Sequence, residues 1–139
     1  MPSRAQCDPE AAAAVRFMEE YTQYANAVMA RKTSQSVEAW LRATPLVTAR
    51  FRTAFRTLEQ EGRRRDPDLG WGFDLILDAQ DYPDKGFIPH SCGSAGFVEL
   101  QGRDWPDFRL VVKVVRRDGV LLVDGAGRVN VPQAQRARR

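Results

Sequence analysis

The chain has 139 residues, of which 43% are hydrophobic and 28% are charged, and its net charge is +3. These proportions are those of one ordinary globular domain, and they exclude a fibrous or wholly disordered chain. The apolar runs are only a few residues long, whereas a membrane-spanning helix needs roughly 20 residues, so no membrane span is predicted.

The charges are unevenly distributed along the chain. Residues 1–65 hold eleven basic and seven acidic side chains, residues 66–107 hold two and nine, and residues 108–139 hold eight and two. A nucleic-acid-binding protein is expected to carry a basic stripe with exposed aromatic residues, or a known module. The acidic middle between basic ends instead indicates a bipolar surface, so no nucleic-acid partner is predicted.

Three helices are predicted in the first half of the chain. Asp8-Pro9-Glu10 combines an N-cap residue, a first-turn proline and a first-turn acid. Apolar side chains then recur at helical spacing, which predicts a long amphipathic helix over 10–31. A short second helix is predicted around Trp40, and Thr44-Pro45 then starts a third helix that ends near Gly62 or continues through the arginines after it.

Residues 66–94 are rich in turn-forming residues. A connection of this length is unusual in a compact domain, and such loops are functional or packed by their own aromatic residues. Three acidic residues follow one another at intervals of three: Asp78, Asp81 and Asp84. Their ordinary role is to cap turns, and a calcium site would need more oxygen ligands in a tighter loop. No metal site is therefore predicted.

An antiparallel sheet is predicted after Gly96, where the hydrophobic period becomes two. Its strands are 95–101, about 107–117 and about 120–130. Asp118-Gly119 is a two-residue hairpin signal, and it places Lys113 opposite Asp124 as a favourable cross-strand pair. Gly125 and Gly127 indicate a bulge, a bend or the close approach of another element.

Helices followed by an antiparallel sheet define an α+β order. The strand faces are too apolar to stand in water, so the first and third helices are expected to cross the sheet and form a cone. A cavity in such a cone would be lined by aromatic residues, here Phe17, Tyr21, Phe51, Phe55 and Phe108. One domain is predicted over 1–132. The basic residues 133–139 lack apolar anchors and are predicted to be a disordered tail.

Two motifs in the second half of the chain resemble a known family. One is GFDLILDAQDYPD over 72–84; the other is LQGRDWPDF over 100–108, which continues to LVDG over 122–125 and VNVP over 129–132. Together they resemble a bacterial family of unknown function in the nuclear transport factor 2-like superfamily. The resemblance covers about 45–132, and it implies a cone of N-terminal helices on a curved antiparallel sheet. It implies no activity, and Ala126 stands where the pattern often has cysteine.

Cys7 and Cys92 are the two cysteines of the chain, and three alternatives are open for them: free buried thiols, a disulfide, or unrelated surface residues. They cannot form a zinc site with the single histidine. A bridge would close a loop of some 85 residues, stabilise the fold by about 4 kcal/mol and indicate an oxidising compartment. The first residues lack an apolar signal core. We expect a periplasmic protein whose signal segment is absent from this chain, with a cytoplasmic protein as the alternative.

No catalytic residue and no cofactor are predicted, because nothing orients the single histidine, His90, which is expected at the rim of the sheet. The first function hypothesis is a non-catalytic binding module that engages a partner protein, such as an immunity protein that neutralises a cognate toxin or effector. The immunity role comes from an analogy with other proteins of the same fold. The acidic loop 66–86 suits a basic cleft on the partner. The residues expected at the contact are Trp71, Asp78, Asp81 and Asp84. A homodimer is the alternative assembly.

The second function hypothesis is a small-ligand pocket, or an isomerase or hydratase type of enzyme that uses the cone cavity lined by the five aromatic residues. A cavity containing a buried aspartate with a shifted pKa would favour this second hypothesis. A filled core would favour the binding module.

Overall fold

In the described part of the chain, four antiparallel strands form an open sheet in sequence order, and three helices pack on it. The computed structural model describes residues 4–138, with side chains from Cys7 onward. The elements are α1 (Arg4–Met29), α2 (Val37–Ala43), α3 (Ala49–Arg65), β1 (Phe87–Cys92), β2 (Phe97–Gly102), β3 (Arg109–Arg117), β4 (Val120–Ala126) and a 3-10 turn (Gln133–Gln135). This is the α+β architecture that the order of helix and strand signals predicts. The 3-10 turn falls in the segment predicted as a tail.

The first helix begins at Arg4, so the predicted start at residue 10 is wrong, and Pro9 lies inside the helix. A disulfide joins Cys7 to Cys92 at the end of β1, with 6.3 Å between the two Cα atoms. This tether holds the first turns of α1 against the sheet, so tertiary structure overrides the local proline signal. The helix ends in a Schellman motif, in which Arg31 has a φ of 57° and the N–H of Lys32 bonds to the carbonyl of Ala27 over 2.8 Å.

The second helix matches its prediction, but the third begins at Ala49, not at Thr44-Pro45. Between these positions the chain turns at Pro45 and Leu46, and Val47 then forms an isolated parallel bridge with Val123 of β4. The N–H of Val123 donates to the carbonyl of Leu46 over 2.8 Å, and the N–H of Thr48 donates to the carbonyl of Val123 over 3.0 Å. Thr48 then caps α3. Pairing with the sheet therefore delays the helix until the chain leaves β4.

The long connection before the sheet ends earlier than predicted, because β1 occupies residues assigned to the loop. The sequence signal for this strand is weak because Pro89 lacks the backbone N–H that a strand donates. In the structure, His90 lies at a register shift between β1 and β2. Both residues are tolerated because β1 is an edge strand. His90 is exposed at this edge, as predicted.

The hairpin between β3 and β4 turns at Asp118 and Gly119, whose φ angles of 51° and 80° are those of a type I′ turn. The predicted pairing of Lys113 with Asp124 is wrong in register: Lys113 lies opposite Gly125, because a bulge follows it. The ion pair nevertheless forms, at 3.8 Å. Of the three alternatives for Gly125, two are found: a bulge lies beside it, and another segment approaches closely, since a Cβ there would lie 2.8 Å from the carbonyl oxygen of Val129.

Candidate functional site

Two adjoining pockets open between the helices and the segment 69–82. The first has a volume of about 130 Å³, and its lining includes Phe55, Glu59, Arg63, Leu69, Trp71 and Phe73. The second has a volume of about 180 Å³, and its lining includes Tyr24, Val28, Met29, Gln80 and Tyr82. Both are also lined by Tyr21, Val37 and Asp74. We call the two pockets together the cleft.

The shared floor of the cleft is a hydrogen-bonded pair, Tyr21 and Asp74. The Tyr21 hydroxyl donates to Asp74 Oδ2 over 2.6 Å. Asp74 Oδ1 accepts from the backbone N–H groups of Ile76 at 2.8 Å and Leu77 at 2.9 Å. This arrangement is an Asx turn, in which an aspartate side chain accepts from the backbone N–H two residues later. It positions the buried run Leu75-Ile76-Leu77 in the core.

Burial perturbs the ionisation of both floor residues. Burial raises the pKa of Asp74, and its hydrogen bonds from Tyr21 and the backbone oppose that rise. Burial raises the pKa of Tyr21 well above its usual 10.0, and the nearby charge of Asp74 raises it further. Burial also raises the pKa of Glu59, in the first pocket. A half-buried, hydrogen-bonded aspartate with a raised pKa therefore lies where the two pockets meet.

Each pocket of the cleft has exposed apolar side chains in its lining, Leu69 in the first and Val28 and Met29 in the second. Val28 is 39% exposed, Met29 is 74% exposed and Leu69 is 71% exposed. The other large apolar side chains that are exposed in the described part of the chain, Trp105 and Val120, line neither pocket. The cleft therefore combines a polar floor with an apolar rim.

All five aromatic residues predicted to line a cavity are buried: Phe17, Tyr21, Phe51, Phe55 and Phe108. Two of these residues, Tyr21 and Phe55, line the cleft. Phe17 and Phe51 pack edge to face behind them, with 5.7 Å between ring centroids. Phe108 packs instead against Phe87 and Trp105, with centroids 6.0 and 5.1 Å away. The aromatic set therefore builds the core, and only part of it reaches the cleft.

The four residues predicted at a protein contact have different surroundings. Trp71 is half-buried against α3, where its Nε1 donates to the carbonyl of Leu58 over 2.7 Å. Asp78 forms an ion pair with Arg128 at 2.8 Å and is only 17% exposed. Asp81 and Asp84 are exposed. Two of the four residues are thus engaged within the chain, and two present their carboxylates to solvent.

Asp81 and Asp84 lie beside the second pocket. Tyr82 lies between them in sequence, lines that pocket and donates its hydroxyl to Asn26 Oδ1 on α1 over 2.8 Å. Asn26 Nδ2 in turn donates to the carbonyl of Asp84 over 2.9 Å. Burial raises the pKa of Tyr82, and the charge of Asp84 raises it further. The acidic segment is therefore held against the half of α1 that carries the apolar rim.

The remaining predicted positions lie away from the cleft. His90 approaches Gln101 Oε1 at 3.1 Å and Glu99 at 3.6 Å on the sheet, and it lines neither pocket of the cleft. Cys7 and Cys92 are joined to each other. Within residues 4–138, no group of three His, Cys, Asp or Glu side chains is placed to hold a metal ion. In the same residues, no helix is long and apolar enough to cross a membrane.

Sequence reasoning gave no role to Asp74 and did not place Tyr21 beside it. The signal at Asp74 is an aspartate directly before the apolar run Leu75-Ile76-Leu77, the pattern of a side chain that bonds to the backbone ahead of it. The exposed residues Met29 and Leu69 carry no comparable signal, because a single exposed apolar residue is ordinary on protein surfaces.

No family model, no curated protein and no solved structure matches the chain. The geometry defines an α+β domain with a solvent-open cleft, an apolar rim and an exposed acidic segment beside it.

Proposed function

We propose that the chain is a non-catalytic binding module that engages a partner protein at the cleft. The observation that carries the proposal is the exposure of Val28, Met29 and Leu69 around one cleft. Exposed apolar side chains that are grouped and bordered by polar residues are typical of protein interaction sites. The cleft would receive an apolar side chain of the partner.

Charge indicates which kind of partner surface fits. Asp81 and Asp84 flank the second pocket, whereas Arg31 and Lys32 follow the end of α1. The acidic character is therefore local to the segment that carries Tyr82. A partner with an apolar side chain beside basic residues would meet both features, and complementary charge would speed and orient the encounter.

The hydrogen bonds of Asp74 support a binding role over catalysis. A general base needs an acceptor that can reach a substrate proton. The carboxylate of Asp74 already accepts from the Tyr21 hydroxyl and from the backbone at Ile76 and Leu77. This bonding makes Asp74 a structural floor for the cleft.

The wider proposal is a nuclear transport factor 2-like domain that acts as an exported immunity protein against a cognate toxin. Helices on an antiparallel sheet are compatible with that fold. The Cys7–Cys92 disulfide supports export to the periplasm, because disulfides persist in oxidising compartments. The toxin as partner rests on fold-level analogy.

The test compares three variants that each add one positive charge in place of an exposed apolar residue. Met29→Arg and Leu69→Arg alter the rim, and Val120→Arg alters the β3–β4 hairpin as a matched control. A partner captured from the native host with the wild-type chain is identified, purified and titrated by calorimetry. We expect at least tenfold weaker binding for both rim variants and unchanged binding for Val120→Arg. Equal binding by all three variants would contradict the proposal.

A second candidate function is the binding of a very small ligand at the floor, with Tyr21 and Asp74 as a proton-transfer pair. The observation that favours it is the raised pKa of both residues at the junction of the two pockets. Ligand sites usually have volumes of about 300–1,000 Å³, so the ligand would have few heavy atoms. A fragment screen by NMR tests it, with shifts expected at Val37 and Asp74. A screen without such shifts rejects this function.

A further inference from the structure

A second concave surface lies on the other side of α3, where it meets the segment 128–136. This groove has a volume of about 460 Å³ and is lined by three arginines: Arg50, Arg128 and Arg136. Its apolar lining includes Ala54, Leu58 and Val131, and none of its lining residues is acidic. It is separate from the cleft, and the proposed protein contact does not use it.

Each arginine is anchored within the chain through at least one nitrogen, and the guanidinium of Arg128 also lies over the ring of Phe73, 5.1 Å from its centroid. Arg50 Nη1 donates to Asp124 Oδ2 over 2.8 Å, Arg128 Nε donates to Asp78 Oδ1 over 2.8 Å, and Arg136 Nε donates to the carbonyl of Val131 over 2.9 Å. A guanidinium group has five N–H donors, so each anchored arginine keeps donors for a ligand. The side chains of Arg50 and Arg128 are 63% and 45% exposed. The groove is thus surrounded by oriented donors that solvent reaches.

The local charges do not cancel. Asp124 and Asp78 are the carboxylates paired with the groove arginines, and Lys113 also lies 3.8 Å from Asp124. Arg50, Lys113 and Arg128 therefore share two carboxylates, while Arg136 bonds to a backbone carbonyl. These four cations and two carboxylates leave an excess of two positive charges around the groove. A ligand with up to two negative charges would balance them.

We propose that this groove binds a phosphomonoester, with the phosphate on the arginines and an apolar body over Ala54, Leu58 and Val131. A phosphate presents three terminal oxygens and up to two charges, which suits a groove lined by three arginines. A carboxylate presents two oxygens and one charge and matches the groove less well. The apolar lining favours an ester over inorganic phosphate.

Calorimetric titration of the whole chain with phenyl phosphate, inorganic phosphate and benzoate at low ionic strength tests the proposal. We expect phenyl phosphate to bind at least threefold tighter than inorganic phosphate and at least fivefold tighter than benzoate. Arg136→Gln should weaken phenyl phosphate binding at least fivefold, and Arg136→Lys should weaken it less. Arg136 is the position of choice because its anchor is a backbone carbonyl, so its removal leaves no carboxylate without its partner.

The matched control is Arg117→Gln, since Arg117 is an exposed arginine at the hairpin whose Nη1 contacts the neighbouring carbonyl of Arg116. It should bind phenyl phosphate as the wild type does. Equal losses in Arg117→Gln and Arg136→Gln would show general charge attraction and overturn the proposal, as would the absence of phenyl phosphate binding. Thermal unfolding of each variant confirms that the fold is intact before titration.

Discussion

The hydroxyl of Tyr21 in α1 donates to the carboxylate of Asp74 across 53 residues of sequence, over 2.6 Å. This hydrogen bond joins the longest helix to the loop that precedes the sheet. Because both residues line both pockets, the bond also sets the spacing between the two walls of the cleft.

Replacing Tyr21 with phenylalanine should destabilise the fold by about 1–3 kcal/mol, because the half-buried carboxylate of Asp74 loses a charge-assisted hydrogen bond. Urea denaturation of the two proteins measures the difference. Tyr82→Phe provides a graded control, since it removes a hydrogen bond to Asn26 at a half-buried position, and it should cost less. A Tyr21→Phe protein as stable as the wild type would mean that Asp74 finds another donor.

The stability contribution of Asp74 should depend on pH. Burial raises its pKa above the ordinary value of 3.8, so the folded state binds the proton more tightly than the unfolded state. The contribution is therefore fully present below pH 3.8 and is lost as the pH rises through the pKa of the folded state. The measurement is the free energy of unfolding at several pH values for the wild type and Asp74→Asn. Acidification should favour the wild type relative to the variant; the opposite trend would show that the hydrogen bonds outweigh burial.

Asp124→Ala should be among the most destabilising substitutions in the chain, at about 2–4 kcal/mol. The carboxylate is 1% exposed and accepts from the hydroxyl of Thr48 at 2.7 Å and from Arg50 at 2.8 Å. Because Thr48 also caps α3, losing Asp124 weakens the start of that helix. Chemical denaturation checks the loss, and Asp107→Ala at an exposed turn should change stability by no more than about 0.5 kcal/mol.

Reducing the Cys7–Cys92 bridge should lower the free energy of unfolding by about 2–4 kcal/mol, because the bridge closes a long loop and restricts the unfolded chain. Denaturation with and without a reductant measures this loss. The double variant Cys7→Ser, Cys92→Ser should be insensitive to reductant. A wild-type protein equally insensitive would show that the first turns of α1 hold their place without the bridge.

Local signals predicted the parts of the fold that depend on neighbours in sequence. The hairpin at Asp118-Gly119 is set by two backbone conformations, and α2 is set by its cap at Ser36. The start of α3 was mispredicted because Leu46 and Thr48 bond to β4, more than 70 residues away. The register at Lys113 was missed for a related reason: the bulge brings Asp124 to the cap of α3.

The candidate site was harder to predict than the fold. Charge predicts Asp81 and Asp84 as contact residues, and both are exposed beside the cleft. Trp71 is of a residue type that is common at protein contacts, but its indole N–H bonds to the carbonyl of Leu58 and its ring lies against Arg65, both in α3. The pair Tyr21 and Asp74 joins two segments whose proximity depends on the packing of α1 across the sheet, and no spacing in the sequence encodes that packing.

The Cys7–Cys92 bond encloses both walls of the cleft in one covalent ring, since α1 after residue 7, α2, α3 and the whole loop lie between the two cysteines. A single proteolytic nick anywhere in residues 8–91 therefore leaves one covalently connected molecule. The fragments would separate on an electrophoresis gel only after reduction. In a compartment rich in proteases, a cut in an exposed loop would leave two pieces that the disulfide still joins. Both walls of the cleft would then remain in one molecule.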